Sequence, residues 1–157
     1  MMAAAAGMFL AGLLAWSAAV DARSMILPDA LTLALALGGV AASLALGEPP
    51  LSDALGGALA GGGFLALVSA GYRALRGVEG LGFGDVKLVA AGGLWTGWQG
   101  LPPVVLTASV GALVFIFAQA ARHGGLERGR RIPFGPFLAA GIALTWGLRM
   151  LESGILP

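Results

Sequence analysis

In the stretch Gly80-Leu81-Gly82-Phe83-Gly84-Asp85-Val86-Lys87 a carboxylate stands between a glycine-rich turn and an apolar run, in a 157-residue chain that is 58% hydrophobic and only 11% charged. A charged group near a bilayer interior is costly unless it faces protein or a water-filled cavity, which makes Asp85 the first candidate for chemistry. Asp21 is the second. It closes the first apolar segment, at the C-terminal end of a helix, where the dipole disfavours negative charge by about 0.3–1 kcal/mol, so capping does not account for it. Two aspartates facing each other across a wet cavity cannot both ionise. They share a proton, one activating a water while the other protonates a carbonyl. This is the chemistry of aspartic peptide hydrolysis, which needs neither a metal nor a nucleophilic side chain, and the pair titrates as a unit. Gly82 and Gly84 suit it by removing side chains beside Asp85, so that a peptide backbone can come close.

Each acid also has a plainer reading. Asp85 precedes a helix, where a carboxylate accepts backbone N–H bonds and complements the dipole. Asp29 follows Pro28 at the start of another helix and is an equally good cap. Glu48 and Asp53 read as caps or solvated loop charges. His123, a lone histidine beside Arg122 in a basic loop, reads as a surface residue. Arg128-Gly129-Arg130-Arg131 reads as a topology and lipid-headgroup anchor, and Trp95, Trp98 and Trp146 as interface anchors or packing. There is no Gly-x-Ser-x-Gly elbow and no His-Glu-x-x-His helix. With no cysteine in the chain, disulfides, thiolate metal sites and cysteine nucleophiles are excluded. No metal or other cofactor is called for, and the net charge of +1, without basic runs interleaved with aromatics, gives no sign of nucleic-acid binding.

The elements that must position these acids are membrane helices. The composition is too apolar for a soluble domain of this length. Apolar runs predict an all-α, polytopic fold in a single domain of about six spans: Met2 to Val20, Ala30 to Gly47, Leu51 to Tyr72, Val86 to Gly100, a fifth set off by Pro102-Pro103 and continuing to about Ala121, and Ile132 to Leu148, with Arg149 to Pro157 as a short tail. The first run lacks a basic start and is read as a retained helix. The fourth, at about 15 residues, is short for a bilayer, which places its start below the membrane surface in a protein-lined cavity. Gly57 and Gly61 form a small-xxx-small pair suited to close helix packing. Loops after the first, third and fifth spans hold Arg23, then Arg73, Arg76 and Lys87, then Arg122, Arg128, Arg130 and Arg131: one, three and four, or eight of the nine basic residues. The positive-inside bias puts those loops, and with them Asp21, Asp29 and Asp85, on the cytoplasmic side and both termini outside.

Four stretches resemble one family, the type IV prepilin leader peptidases, which are GxGD-type membrane aspartic proteases. They are Val20-Asp21 running to Leu27-Pro28-Asp29; Gly82-Phe83-Gly84-Asp85-Val86-Lys87, with Asp85 64 residues after Asp21; Trp95-Thr96-Gly97-Trp98; and Pro133-Phe134-Gly135-Pro136. The resemblance implies a catalytic pair Asp21 and Asp85, a supporting or structural role for Asp29, and a supporting role for Lys87. It implies prepilin or pseudopilin substrates, cut between a short basic leader and a hydrophobic helix, at the cytoplasmic face of the inner membrane. Longer family members carry an amino-terminal segment, often with paired Cys-x-x-Cys, and methylate the new terminus. This sequence resembles the peptidase portion alone, and methyl transfer is expected to be absent. Two other readings stand beside this one: a small transporter or channel using the acids as a proton or cation relay, and an assembly subunit that kept the scaffold without the chemistry. Neither the particular substrate nor the oligomeric state is legible.

Overall fold

A computed structural model describes residues 1–77, 82–123 and 132–155. Gly80 and Leu81 of the opening stretch and the basic residues Arg128, Arg130 and Arg131 lie outside the described residues, as does the His123 side chain. Among the described residues there are six α-helices and no strand: α1 (Met2–Ser24), α2 (Asp29–Leu46), α3 (Leu51–Arg76), α4 (Phe83–Thr96), α5 (Leu101–His123) and α6 (Gly135–Glu152), with one 3-10 turn at Trp98–Gly100 between α4 and α5. Helices α1, α2, α3 and α5 are each long and apolar enough to cross a membrane, as expected for a polytopic protein.

The remaining order of the bundle follows from α4. At 14 residues it is about 21 Å long, against the ~30 Å of a hydrocarbon core, and it forms the centre. Nine of its residues, Val86, Leu88, Val89 and the run Ala91 to Thr96, are buried, and it packs against α2, α3 and α6. Small residues set those crossings. Gly57 of α3 lies directly on the backbone of Gly93 and Gly97, and Gly61 on Val89 and Leu101, while Gly92 accommodates Ile142 of α6. Close backbone approach of this kind replaces the hydrophobic driving force that lipid does not supply. Trp95 fills the remaining space. Its indole N–H donates to the Leu35 carbonyl at 2.8 Å, and its ring meets Trp146 edge-on at 5.9 Å. Trp95 and Trp146 are thus packing residues, whereas Trp98 is exposed.

Helices α1 and α6 run antiparallel along one side. Asp21 meets Gly135 at one end, and Gly7 lies under the Trp146 ring at the other, so the start of α1 and the end of α6 are at the end away from Asp21. At that far end Arg149 Nη1 donates to the Thr96 carbonyl at 2.7 Å, and its Nε pairs with Glu48 at 3.5 Å. A cation thereby closes the C-terminus of α4, where the dipole favours one.

Several boundaries differ from the sequence reading, and the reasons are local. Helix α1 continues one turn past Val20 and ends at Met25, whose left-handed backbone (φ 53°) lets its N–H bond the Asp21 carbonyl at 2.9 Å. Asp21 is therefore inside the last turn, at the C-terminal end of α1 as the sequence reading had it. Pro102 and Pro103 sit in the first turn of α5 rather than before it, where the missing N–H is one the helix does not use. Helix α6 starts at Gly135 with Pro136 beside it and runs on to Glu152, which brings Arg149 into the bundle instead of leaving it in a tail.

Candidate active site

Asp21, Asp29, Gly82, Gly84, Asp85 and Lys87 all come to the same end of the bundle, and each is held differently. Asp21, on α1, is buried. Its Oδ2 accepts the backbone N–H of Gly135 at 3.0 Å, across 114 residues of sequence. Gly135 is the first residue of α6, where N–H groups have no partner within the helix and the dipole is positive. The expectation that capping does not account for Asp21 is thus corrected: the carboxylate caps a different helix. Its unfavourable place at the end of α1 is offset by a favourable one at the start of α6.

Asp85 is the third residue of α4, with Gly82 at the N-cap and no capping side chain there. It is not the N-cap itself. Its carboxylate turns back toward the Gly82 backbone, the placement from which the third helical residue of a capping box acts. It is half-buried, and it lies within electrostatic range of Asp21. Two helix N-termini, those of α4 and α6, therefore present one carboxylate each toward a common region. This is the means by which a mostly apolar bundle holds two acids near one another: each is stabilised by a helix end, and neither is ion-paired among the described residues.

Asp29 is set apart from this pair. It is the first residue of α2, follows Pro28 at the N-cap and makes no capping bond with its side chain. Its exposed carboxylate takes a salt bridge from Lys87 Nζ, and the Lys87 ammonium also lies 5.0 Å from the centre of the Phe83 ring. Asp29 and Lys87 thus tie the start of α2 to the first turn of α4, a bracing contact beside the pair. The two glycines also differ. A Cβ on Gly84 would lie 3.2 Å from the Leu27 Cβ, so Gly84 is small because the turn between α1 and α2 packs against it. Gly82 is exposed, with only the Asp85 carboxylate near its missing side chain. Of the two, Gly82 alone has the space beside it that a bound backbone needs.

Gly135 is the site residue that reading the acids does not reveal. A Cβ there would stand 2.6 Å from Asp21 Oδ2, so only glycine allows the bond. The signal was present in Pro133-Phe134-Gly135-Pro136, a glycine and a proline opening a helix, but nothing local connects it to Asp21.

Residues 8–117 match the type IV leader peptidase family. The chain belongs to that family. The matched region includes Asp21, Asp29, Asp85 and Lys87 and ends before Gly135. Among curated proteins, the chain is similar to a prepilin leader peptidase/N-methyltransferase of Aeromonas salmonicida, 48% identical over 133 residues that cover 82% of this chain and 44% of that protein. It is 46% identical over 136 residues to one from Burkholderia pseudomallei, covering 86% of this chain and 43% of the relative. It is 41% identical over 127 residues to the leader peptidase HopD of Escherichia coli, covering 80% of this chain and 82% of HopD. The chain thus spans less than half the length of the Aeromonas and Burkholderia relatives and most of the length of HopD. No solved structure matches it.

Proposed function

We propose that the protein is an aspartic endopeptidase that removes the short basic leader from type IV prepilins or pseudopilins at the cytoplasmic face of the inner membrane, with Asp21 and Asp85 as its catalytic pair. The observation that carries this reading is the pairing itself: two acids 64 residues apart in sequence lie within electrostatic range at one end of the bundle, Asp85 in the first turn of α4 and Asp21 bonded to the first residue of α6. The names of the relatives supply the substrate class. The basic residues Arg23, Arg73, Arg76 and Lys87 near this end support the cytoplasmic side.

In this mechanism the pair holds one proton between two carboxyl groups. The ionised member takes a proton from a water, whose oxygen attacks the scissile carbonyl, while the protonated member gives its proton to the carbonyl oxygen. Collapse of the tetrahedral intermediate breaks the C–N bond, and the leaving amine takes up a proton from the pair. The bond from Gly135 fixes which oxygen of Asp21 faces the reaction. A substrate anchored by its hydrophobic helix presents its leader at the membrane face where the pair lies.

The test is cleavage of a prepilin in membranes by wild type, Asp21→Asn and Asp85→Asn at equal expression. Asparagine keeps the size of the side chain but cannot share the proton. Loss of cutting in both, with Asp29→Asn retaining activity, is the expected result; wild-type cutting by either catalytic variant contradicts the pairing.

A further inference from the structure

Ser17 lies on α1 one turn before Asp21, is 1% exposed, and its hydroxyl has no hydrogen-bond partner among the described residues. This is unusual for a hydroxyl on a helix, which ordinarily bonds back to the carbonyl one turn earlier. Thr96 does so with Gly92 at 3.2 Å, and so does Ser24 with Val20 at 2.9 Å. In an apolar bundle an unmet hydroxyl is costly, and an alanine would remove the cost. A buried serine without a partner therefore calls for a use outside the resting contacts.

Position supplies that use. Residues four apart on a helix stack on one face with Cβ atoms about 5–6 Å apart, and helical side chains lean toward the N-terminus, so the Asp21 carboxylate covers the turn that carries Ser17. Gly135 occupies Oδ2 of that carboxylate; among the described residues Oδ1 receives no hydrogen bond. The other partnerless buried atom, Trp146 Nε1, belongs to the far end of the same α1–α6 interface, beside Gly7, and does not serve Asp21. The groups that bear on Asp21 electrostatically are Asp85 from α4 and the N-terminus of α6. Lys87 is committed to Asp29, and Arg149 is at the opposite end.

We propose that Ser17 is a positioning residue of the site: its hydroxyl turns about one bond to donate to Asp21 when that carboxylate bears the charge, so that Gly135 and Ser17 hold its two oxygens in a fixed orientation. No bond other than this hydrogen bond forms or breaks. The inference rests on the peptidase reading, and the experiment separates the two.

Steady-state cleavage of a prepilin is measured in membranes for wild type, Asp21→Asn, Ser17→Thr, Ser17→Val and Ser17→Ala, with rates referred to folded protein by detergent size-exclusion. Threonine and valine share a shape and differ in the hydroxyl. Valine and alanine are expected to lower kcat about tenfold with KM within about twofold, and threonine to stay within about threefold of wild type. A structural role for the side-chain volume alone would not separate threonine from valine. Wild-type kcat in Ser17→Val, or equal losses in Ser17→Val and Ser17→Thr, overturns the role of Ser17 while an inactive Asp21→Asn leaves the peptidase reading standing. Full activity in Asp21→Asn, or no cleavage by wild type, overturns both.

Discussion

The two ends of α4 are built on opposite electrostatic plans. At the Thr96 end a single cation, Arg149, donates to the last turn and pairs with Glu48, so the helix dipole, the guanidinium and the carboxylate all stabilise one another. At the Asp85 end two carboxylates lie within range of each other, Asp21 bonded to the Gly135 N–H and Asp85 turned toward Gly82, and the nearby ammonium of Lys87 is directed to Asp29. Exchanging that ammonium for a contact with either acid would be the stabilising choice. A helix satisfied at one end and left with neighbouring like charges at the other has the pattern of a scaffold end and a candidate-site end, and acids in such surroundings concentrate at functional sites.

Substitutions can break that division or sharpen it. The largest loss is expected from Asp21→Asn and Asp85→Asn, each lowering prepilin cleavage at least about a hundredfold with the fold retained, as read by detergent size-exclusion. Gly135→Ala comes next. Its methyl group would meet Asp21 Oδ2 at 2.6 Å and push the carboxylate out of place, so cleavage is expected to fall about tenfold or more even though no acid is changed. Lys87→Met removes the brace to Asp29 without touching the pair, and a drop of about twofold to fivefold is expected, since an exposed ion pair contributes little. Arg149→Ala should do the reverse of all three. Its loss leaves the Thr96 carbonyl unmet and costs about 1–3 kcal/mol of folding stability, seen as a lower thermal midpoint, while activity per folded molecule stays within about twofold. A large fall in specific activity for Arg149→Ala would show that the two ends are coupled and would break the comparison.

The sequence showed the acids more readily than it showed what holds them. Asp21 and Asp85 stand out because charges are rare in this chain, and the long spans follow from apolar runs of the right length. The central place of α4 was not legible: its apolar residues differ little from those of its neighbours, and only its shortness hinted that protein rather than lipid surrounds it. The partner of Asp21 was out of reach for another reason. A backbone N–H carries no residue type, so a bond from Gly135 leaves only a glycine in the sequence, 114 positions away. The same limit explains the correction to the capping argument, which considered the helix that carries Asp21 and not the one it meets. Arg149 was read as part of a tail because the last apolar run ends before it, yet one more helical turn brings it onto Thr96.

The central claim is that α1 and α4 bring Asp21 and Asp85 together, and the absence of native cysteine allows it to be tested without background. With Asp21→Cys and Asp85→Cys in one chain, oxidation or a short bifunctional thiol reagent in membranes should join the two positions rapidly and in high yield, seen as a fragment that stays linked after cleavage of the α2–α3 connection at an engineered protease site. A control pair, Met2→Cys with Asp85→Cys, also lies on the two sides of that cut but spans opposite ends of the bundle, Met2 being exposed at the start of α1, and should remain open. Cross-linking of the Asp21 pair no faster than the control would contradict the account.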